Sequence, residues 1–147
     1  MDGADNGNTA DKCVREFKLV RAAASVGALS AQLALWLPAV GVPAAIVHAV
    51  HVCCDEVIAN ACQHSGETAG PILLRAKVAE RHLLLGFRYR APPFDPAARR
   101  HPDLHTPVSV RDIGGLGLHL LQALCPDCHY EFDDDHHHLS LAWHWPP

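Results

Sequence analysis

Residues Cys53 to Ser65 read CCDEVIANACQHS, and the rest of the chain can be read outward from this stretch. Glu56, Asn60 and His64 stand four residues apart in an apolar, glycine-free run. A helix turns about 100° per residue, so each step of four drifts only about 40°. The three polar side chains therefore form one row along the helix. Val50, Cys54, Val57, Ile58 and Ala61 form the apolar stripe beside it, by the i, i+3, i+4 rule. One helix thus presents a carboxylate, an amide and an imidazole along the border of its buried face. A carboxylate placed there can take a proton or bind a metal, and an amide oxygen is a hard ligand of the kind Mg²⁺ accepts.

The chain has 147 residues, enough for one domain with a real core, and a net charge of −4. Its basic residues are scattered and do not outline a nucleic-acid surface. The polar, acidic start MDGADNGNTADK is not a signal peptide and reads as a frayed tail over residues 1–12. A single domain is expected over 13–147. Of the six cysteines, Cys53, Cys54 and Cys62 fall on different faces of the central helix. They read as small core residues rather than a disulfide frame, which favours a reducing, cytoplasmic setting.

Ala22 to Cys54 contains no Asp, Glu, Lys or Arg. Pro38, Gly41 and Pro43 interrupt it, and Val26, Leu29, Leu33 and Trp36 repeat at helical spacing. The segment reads as two amphipathic helices, Ser25 to Leu37 and Pro43 to about His64, rather than as a membrane span. VREFKLV, Val14 to Val20, suits a first strand. PILLRAKVA (Pro71–Ala79) and HLLLGFRYR (His82–Arg90) form a hairpin around Glu80-Arg81. A long proline-bearing loop follows to Ile113, of the length found in lids, here about 91–113. GGLG at Gly114, Gly115, Leu116 and Gly117 then opens a helix from about Leu116 to Leu124. Two strands, about Cys128–Phe132 and His138–Trp143, close the chain around an acidic turn. The predicted class is α+β, a two-layer α/β sandwich with a largely antiparallel mixed sheet and the helices on one face.

Glycines before a helix let backbone N–H groups approach phosphate oxygens, where the helix dipole favours anions. With the E-x3-N-x3-H helix, the hairpin, the PPFDP segment and the long loop, this pattern resembles the ATP-binding (Bergerat) fold of the GHKL superfamily. In particular it resembles the anti-sigma factor serine/threonine-protein kinases of bacterial partner-switching systems. The resemblance implies an ATP- and Mg²⁺-dependent kinase that phosphorylates a serine of a STAS-domain anti-anti-sigma protein. It also implies a sigma factor as a second partner, a homodimer, and no nucleic-acid or membrane partner. Residue by residue, Glu56 matches the catalytic carboxylate and Asn60 the Mg²⁺ ligand. His64 ends the row, and Gly114, Gly115, Leu116, Gly117 and Leu118 lie along the nucleotide phosphates.

The family's adenine-binding box reads Asp-x-Gly-x-x-Phe-Asp. Placing Phe94 and Asp95 at its end puts Tyr89 at the aspartate and Ala91 at the glycine. The phenol is bulkier than a carboxylate and uncharged, so adenine recognition is expected to be altered and ATP binding weaker. The alternative expectation is a catalytically silent interaction module on the same fold.

Two other signals compete. Cys125-Pro-Asp-Cys128 is a CxxC, and with His129 or His136–His138 it would offer zinc ligands. The simpler expectation is that Cys125 ends a helix, Cys128 begins a strand, and the Asp133–His138 run is a solvated hairpin turn.

Overall fold

The structure, a computed structural model, describes residues 13–63, 70–91 and 116–147. Among the described residues, five strands and three helices follow in the order β1 (Val14–Leu19), α1 (Ala23–Ala39), α2 (Ala44–Gln63), β2 (Ile72–Ala79), β3 (His82–Arg90), α3 (Leu116–Leu124), β4 (Asp127–Asp133) and β5 (His136–His144). The strands form one sheet in the order β1-β2-β3-β5-β4, and every pairing is antiparallel among the described residues. The element order and the class read from the sequence hold, with helix and strand ends moved by one or two residues.

Alternation explains the strands. Ile72, Leu74, Ala76 and Val78 on β2, Leu83, Leu85, Phe87 and Tyr89 on β3, and His137, Leu139, Leu141 and Trp143 on β5 are buried, while their neighbours are not. A period of two sends these sets to one face, and a slip of one residue would expose all of them. The covering layer comes from Leu29, Leu33, Trp36 and Leu37 of α1 and Val50, Cys53, Cys54, Val57, Ile58 and Ala61 of α2. The Arg15 guanidinium lies 5.5 Å from the centre of the Trp36 ring, and Ser30 Oγ lies 3.1 Å from His51 Nδ1, joining β1 to α1 and α1 to α2.

Two turns differ from the sequence reading. α1 passes through Pro38 to Ala39. Its end is set by Gly41, at φ +89°, where Gly41 N–H donates to Pro38 O and Val42 N–H to Leu37 O. This six-residue cap needs a left-handed residue, which glycine supplies without Cβ strain. The second correction concerns the histidines, which are not in the hairpin turn. Asp134 and Asp135 alone make it, at φ +50° and +60°, the two-residue geometry that matches strand twist. His136, His137 and His138 are therefore the first residues of β5, and His137 is buried at 4% exposure.

α2 is long and apolar enough to cross a membrane by length and composition. In this fold Val50, Cys53, Cys54, Val57, Ile58 and Ala61 of that helix are buried in the core. The opposite sheet face carries no helix among the described residues. Lys18, Arg75, Lys77 and Arg88 lie on its β1–β3 side and Asp127, Glu131 and Asp133 on β4. A shallow trough of about 530 Å³ crosses its centre, lined by Leu73, Arg75, Gly86, Arg88, His138 and Ser140 among others.

The alternation yields a direct test. Leu85 is fully buried and Leu84 is 46% exposed. Leu85→Ala should cost about 2–5 kcal/mol in denaturant unfolding, and Leu84→Ala less than about 1 kcal/mol. Equal losses would show that the strand faces are misassigned.

Candidate functional site

α2 supplies the polar row. Pro43 O accepts from Ile46 N–H and Val47 N–H, both at 3.0 Å, and starts the helix. No glycine or proline interrupts the helix to Gln63. Val50, Cys54, Val57, Ile58 and Ala61 are all buried, as the spacing requires, and Glu56 and Asn60 are half-buried at the border of that face. α3 packs against α2 on the same side of the sheet. Trp143 Nε1 donates to Leu124 O at 2.8 Å and Cys125 N–H to Leu121 O at 2.7 Å, so the end of α3 is fixed to β5. Leu116, Gly117 and Leu118 form the first turn of α3. The residues named for His64, Phe94, Asp95, Gly114 and Gly115 lie outside the described residues, as do the tail 1–12 and all of the loop after Ala91.

Tyr89 occupies the last turn of the β3 ladder, facing the helices. It is 6% exposed, and Ala91 just beyond it is 5% exposed. The Tyr89 ring stacks on His137, its cross-strand neighbour, with centroids 4.9 Å apart and planes 4° from parallel. The Tyr130 hydroxyl and His137 Nδ1 are hydrogen-bonded at 2.7 Å, and Phe132 meets the His137 ring edge-on at 4.8 Å. Burial, aided by Tyr130, pushes the Tyr89 phenol up to about 12, against the opposing pull of the Arg21 cation. It is therefore a neutral hydroxyl at physiological pH.

Arg21 was not singled out in the sequence. Its Nε donates to Gly70 O at 2.8 Å, Nη1 to Ala61 O at 2.7 Å and Nη2 to Arg90 O at 2.5 Å. One guanidinium thus holds the end of α2, the approach to β2 and the end of β3. The one signal that marks it in the sequence is its place as the last charged residue before the uncharged run that ends at Asp55. His137 was missed because the hairpin turn was drawn too wide.

The cysteines behave as packing. Cys53 and Cys54 are buried, although Cys62 is exposed and so is not a core residue. Burial first, then Cys125, Cys128 and Glu56, pushes the Cys53 thiol up to about 12, and burial raises Cys54 further. Thiols protonated at neutral pH are poor nucleophiles and poor metal ligands. Cys125 follows α3 and donates to Asp127 O and Ala142 O, both at 3.3 Å, while Cys128 lies in β4. Among the described residues no three His, Cys, Asp or Glu side chains converge as a metal site.

The phenol gives a pH prediction. Below about pH 10 Tyr89 is protonated in both the folded and the unfolded chain. Between about 10 and 12 only the unfolded chain would lose the proton, so stability falls as pH rises through that window. Tyr89→Phe should remove the tyrosinate absorbance step near pH 12 and flatten that fall. A Tyr89 that ionises near pH 10 would contradict the packing.

A family model for the histidine kinase-like ATPase domain matches residues 19–143. No curated protein matches the chain in sequence. Among solved structures, the RsbU and RsbW domains of Rv1364c from Mycobacterium tuberculosis are similar in fold, with a TM-score of 0.63 at 16% identity. That match covers 88% of this chain but 31% of the other, so the present chain spans about a third of its length. The two packed helices and the antiparallel sheet beneath them are thus elements of a known fold, and the chain belongs to the histidine kinase-like ATPase domain family.

Proposed function

We propose that the chain is a regulatory serine-protein kinase of the anti-sigma type. It would bind ATP and transfer the γ-phosphate to a serine of a STAS-domain protein, acting as a cytoplasmic homodimer that also holds a sigma factor. The observation that carries this reading is the pairing of Glu56 and Asn60 on one border of α2, beside α3, in a chain whose family implies ATP binding.

The division of labour follows from the donor atoms. Asn60 offers a half-buried amide oxygen, and Mg²⁺ takes few protein ligands because nucleotide phosphates and water complete its shell. A single amide beside a phosphate site therefore fits that ion. When bound, the ion would neutralise charge on the phosphates. Glu56 would accept the serine proton as the hydroxyl oxygen bonds to the γ-phosphorus, the bond to the β,γ-bridging oxygen breaks, and ADP leaves. The first turn of α3 would direct backbone N–H groups at the phosphates.

Tyr89 supports a second reading. In the adenine box it fills the aspartate position with a buried ring already stacked on His137. A base entering there must displace that ring or forgo its contacts. The second reading is a silent interaction module on the same fold.

Calorimetric titration separates the two. Wild-type protein should bind ATP in the presence of Mg²⁺ more weakly than its family does. Asn60→Ala should lower that affinity with the fold intact, and an unchanged affinity would remove Asn60 from the metal site. Glu56→Gln should keep nucleotide affinity while phosphate transfer to a STAS-domain partner falls about 10²–10⁴-fold. No transfer by either protein, despite tight partner binding, would establish the module. Tyr89→Asp with Ala91→Gly should raise ATP affinity about tenfold to hundredfold, the range expected for one charged hydrogen bond. No gain would mean that Tyr89 does not face the base.

A further inference from the structure

We infer that Arg21 is the positioning residue of the proposed nucleotide site, holding the end of α2 that carries Asn60 against the end of β3 that carries Tyr89. This rests on the nucleotide reading above, in which Asn60 serves the phosphate end and Tyr89 the base end. Arg21 sits in the short link between β1 and α1, where Ala22 N–H donates to Val20 O at 2.8 Å. Its three nitrogens each reach a different segment, at sequence separations of 40, 49 and 69 residues.

Each acceptor sits next to a part of that site. Ala61 follows Asn60 and lies in the last turn of α2. That turn contains no basic residue of its own, so Arg21 supplies from outside the cation that a helix C-terminus favours. Arg90 follows Tyr89 at the end of β3. Gly70, at φ +76°, leads into β2. One planar, rigid group therefore ties the backbone one residue beyond Asn60 to the backbone one residue beyond Tyr89. Moving either segment breaks a charge-assisted hydrogen bond, part-buried at Ala61 and exposed at Arg90.

The arrangement is specific to arginine. A lysine ammonium carries its donors on one atom and cannot serve three carbonyls fanned around a guanidinium plane. All three acceptors are backbone oxygens, so the clamp is removed most directly at Arg21 itself.

The test uses the full chain, with Arg21→Lys and Arg21→Met. ATP must reach both segments, whereas inorganic pyrophosphate engages the phosphate end alone. With Mg²⁺ present, ATP affinity should fall about tenfold to hundredfold in both variants, while pyrophosphate affinity stays within about twofold. Amide hydrogen exchange should quicken in the last turn of α2 and at the Tyr89–His137 end of β3 and β5. It should stay unchanged at the Glu80-Arg81 turn. Equal losses for ATP and pyrophosphate, unchanged ATP affinity, or uniformly faster exchange would each overturn the proposal. If wild-type protein binds neither ligand, the nucleotide reading falls, and exchange alone then decides: localised acceleration upholds the clamp and uniform acceleration overturns it. Should Arg21→Met not fold, Arg21→Lys, which keeps the charge, carries the test.

Discussion

The pairing of β3 with β5 is the constraint on which the rest of this structure depends. β5 is the last strand in the chain, yet it lies inside the sheet, between β3 and β4. Its register is set at one end by the two-residue Asp134-Asp135 turn and along its length by the alternation that buries Leu139, Leu141 and Trp143. The turn fixes β5 against β4, and the alternation fixes which of its faces is buried. In the register formed, His137 lies opposite Tyr89 and Leu141 opposite Leu85, and Trp143 donates to the end of α3. The position of α3 relative to α2, and so of the glycine-opened helix relative to the acid and the amide, follows from that register.

Much of this could be read in the chain because it rests on period. α2 is an uninterrupted apolar run with its polar residues four apart, and the helical period alone assigns Glu56 and Asn60 to the edge of the buried face. β2 and β3 alternate cleanly around a two-residue turn, and β3 was bounded to the residue. What could not be read rests on contacts without a local pattern. His137 is flanked by two more histidines, so nothing in residue type marks it as the inward one. Only its register with Tyr89 does. Arg21 acts on backbone carbonyls, which leave no trace in the sequence. Proline stops most helices, so Pro38 reads as a helix end, but in the final turn it forgoes one hydrogen bond while Gly41 forms the cap.

The two unread residues bear on the candidate site together. Tyr89 stacks on His137, which Tyr130 and Phe132 also touch, and the Arg21 cation acts on its phenol electrostatically. In the proposed adenine box, this chain places a buried aromatic stack where the family pattern has a small carboxylate. Rings with this many neighbours reorient only when several contacts give way at once, because protein interiors are close-packed. In the proposed nucleotide site, the base end is the part where this chain departs from the family pattern, and the end marked by Glu56 and Asn60 the part that matches it.

The central claim is that Asn60 and Tyr89 mark the two ends of a single nucleotide cleft on the helix side of the sheet. A crystal structure of the protein grown with Mg²⁺ and a non-hydrolysable ATP analogue tests it most directly. The account predicts the phosphates beside the Asn60 amide and the first turn of α3, with the purine against or in place of the Tyr89 ring. Nucleotide bound instead in the trough around Gly86, on the open face of the sheet, would contradict it.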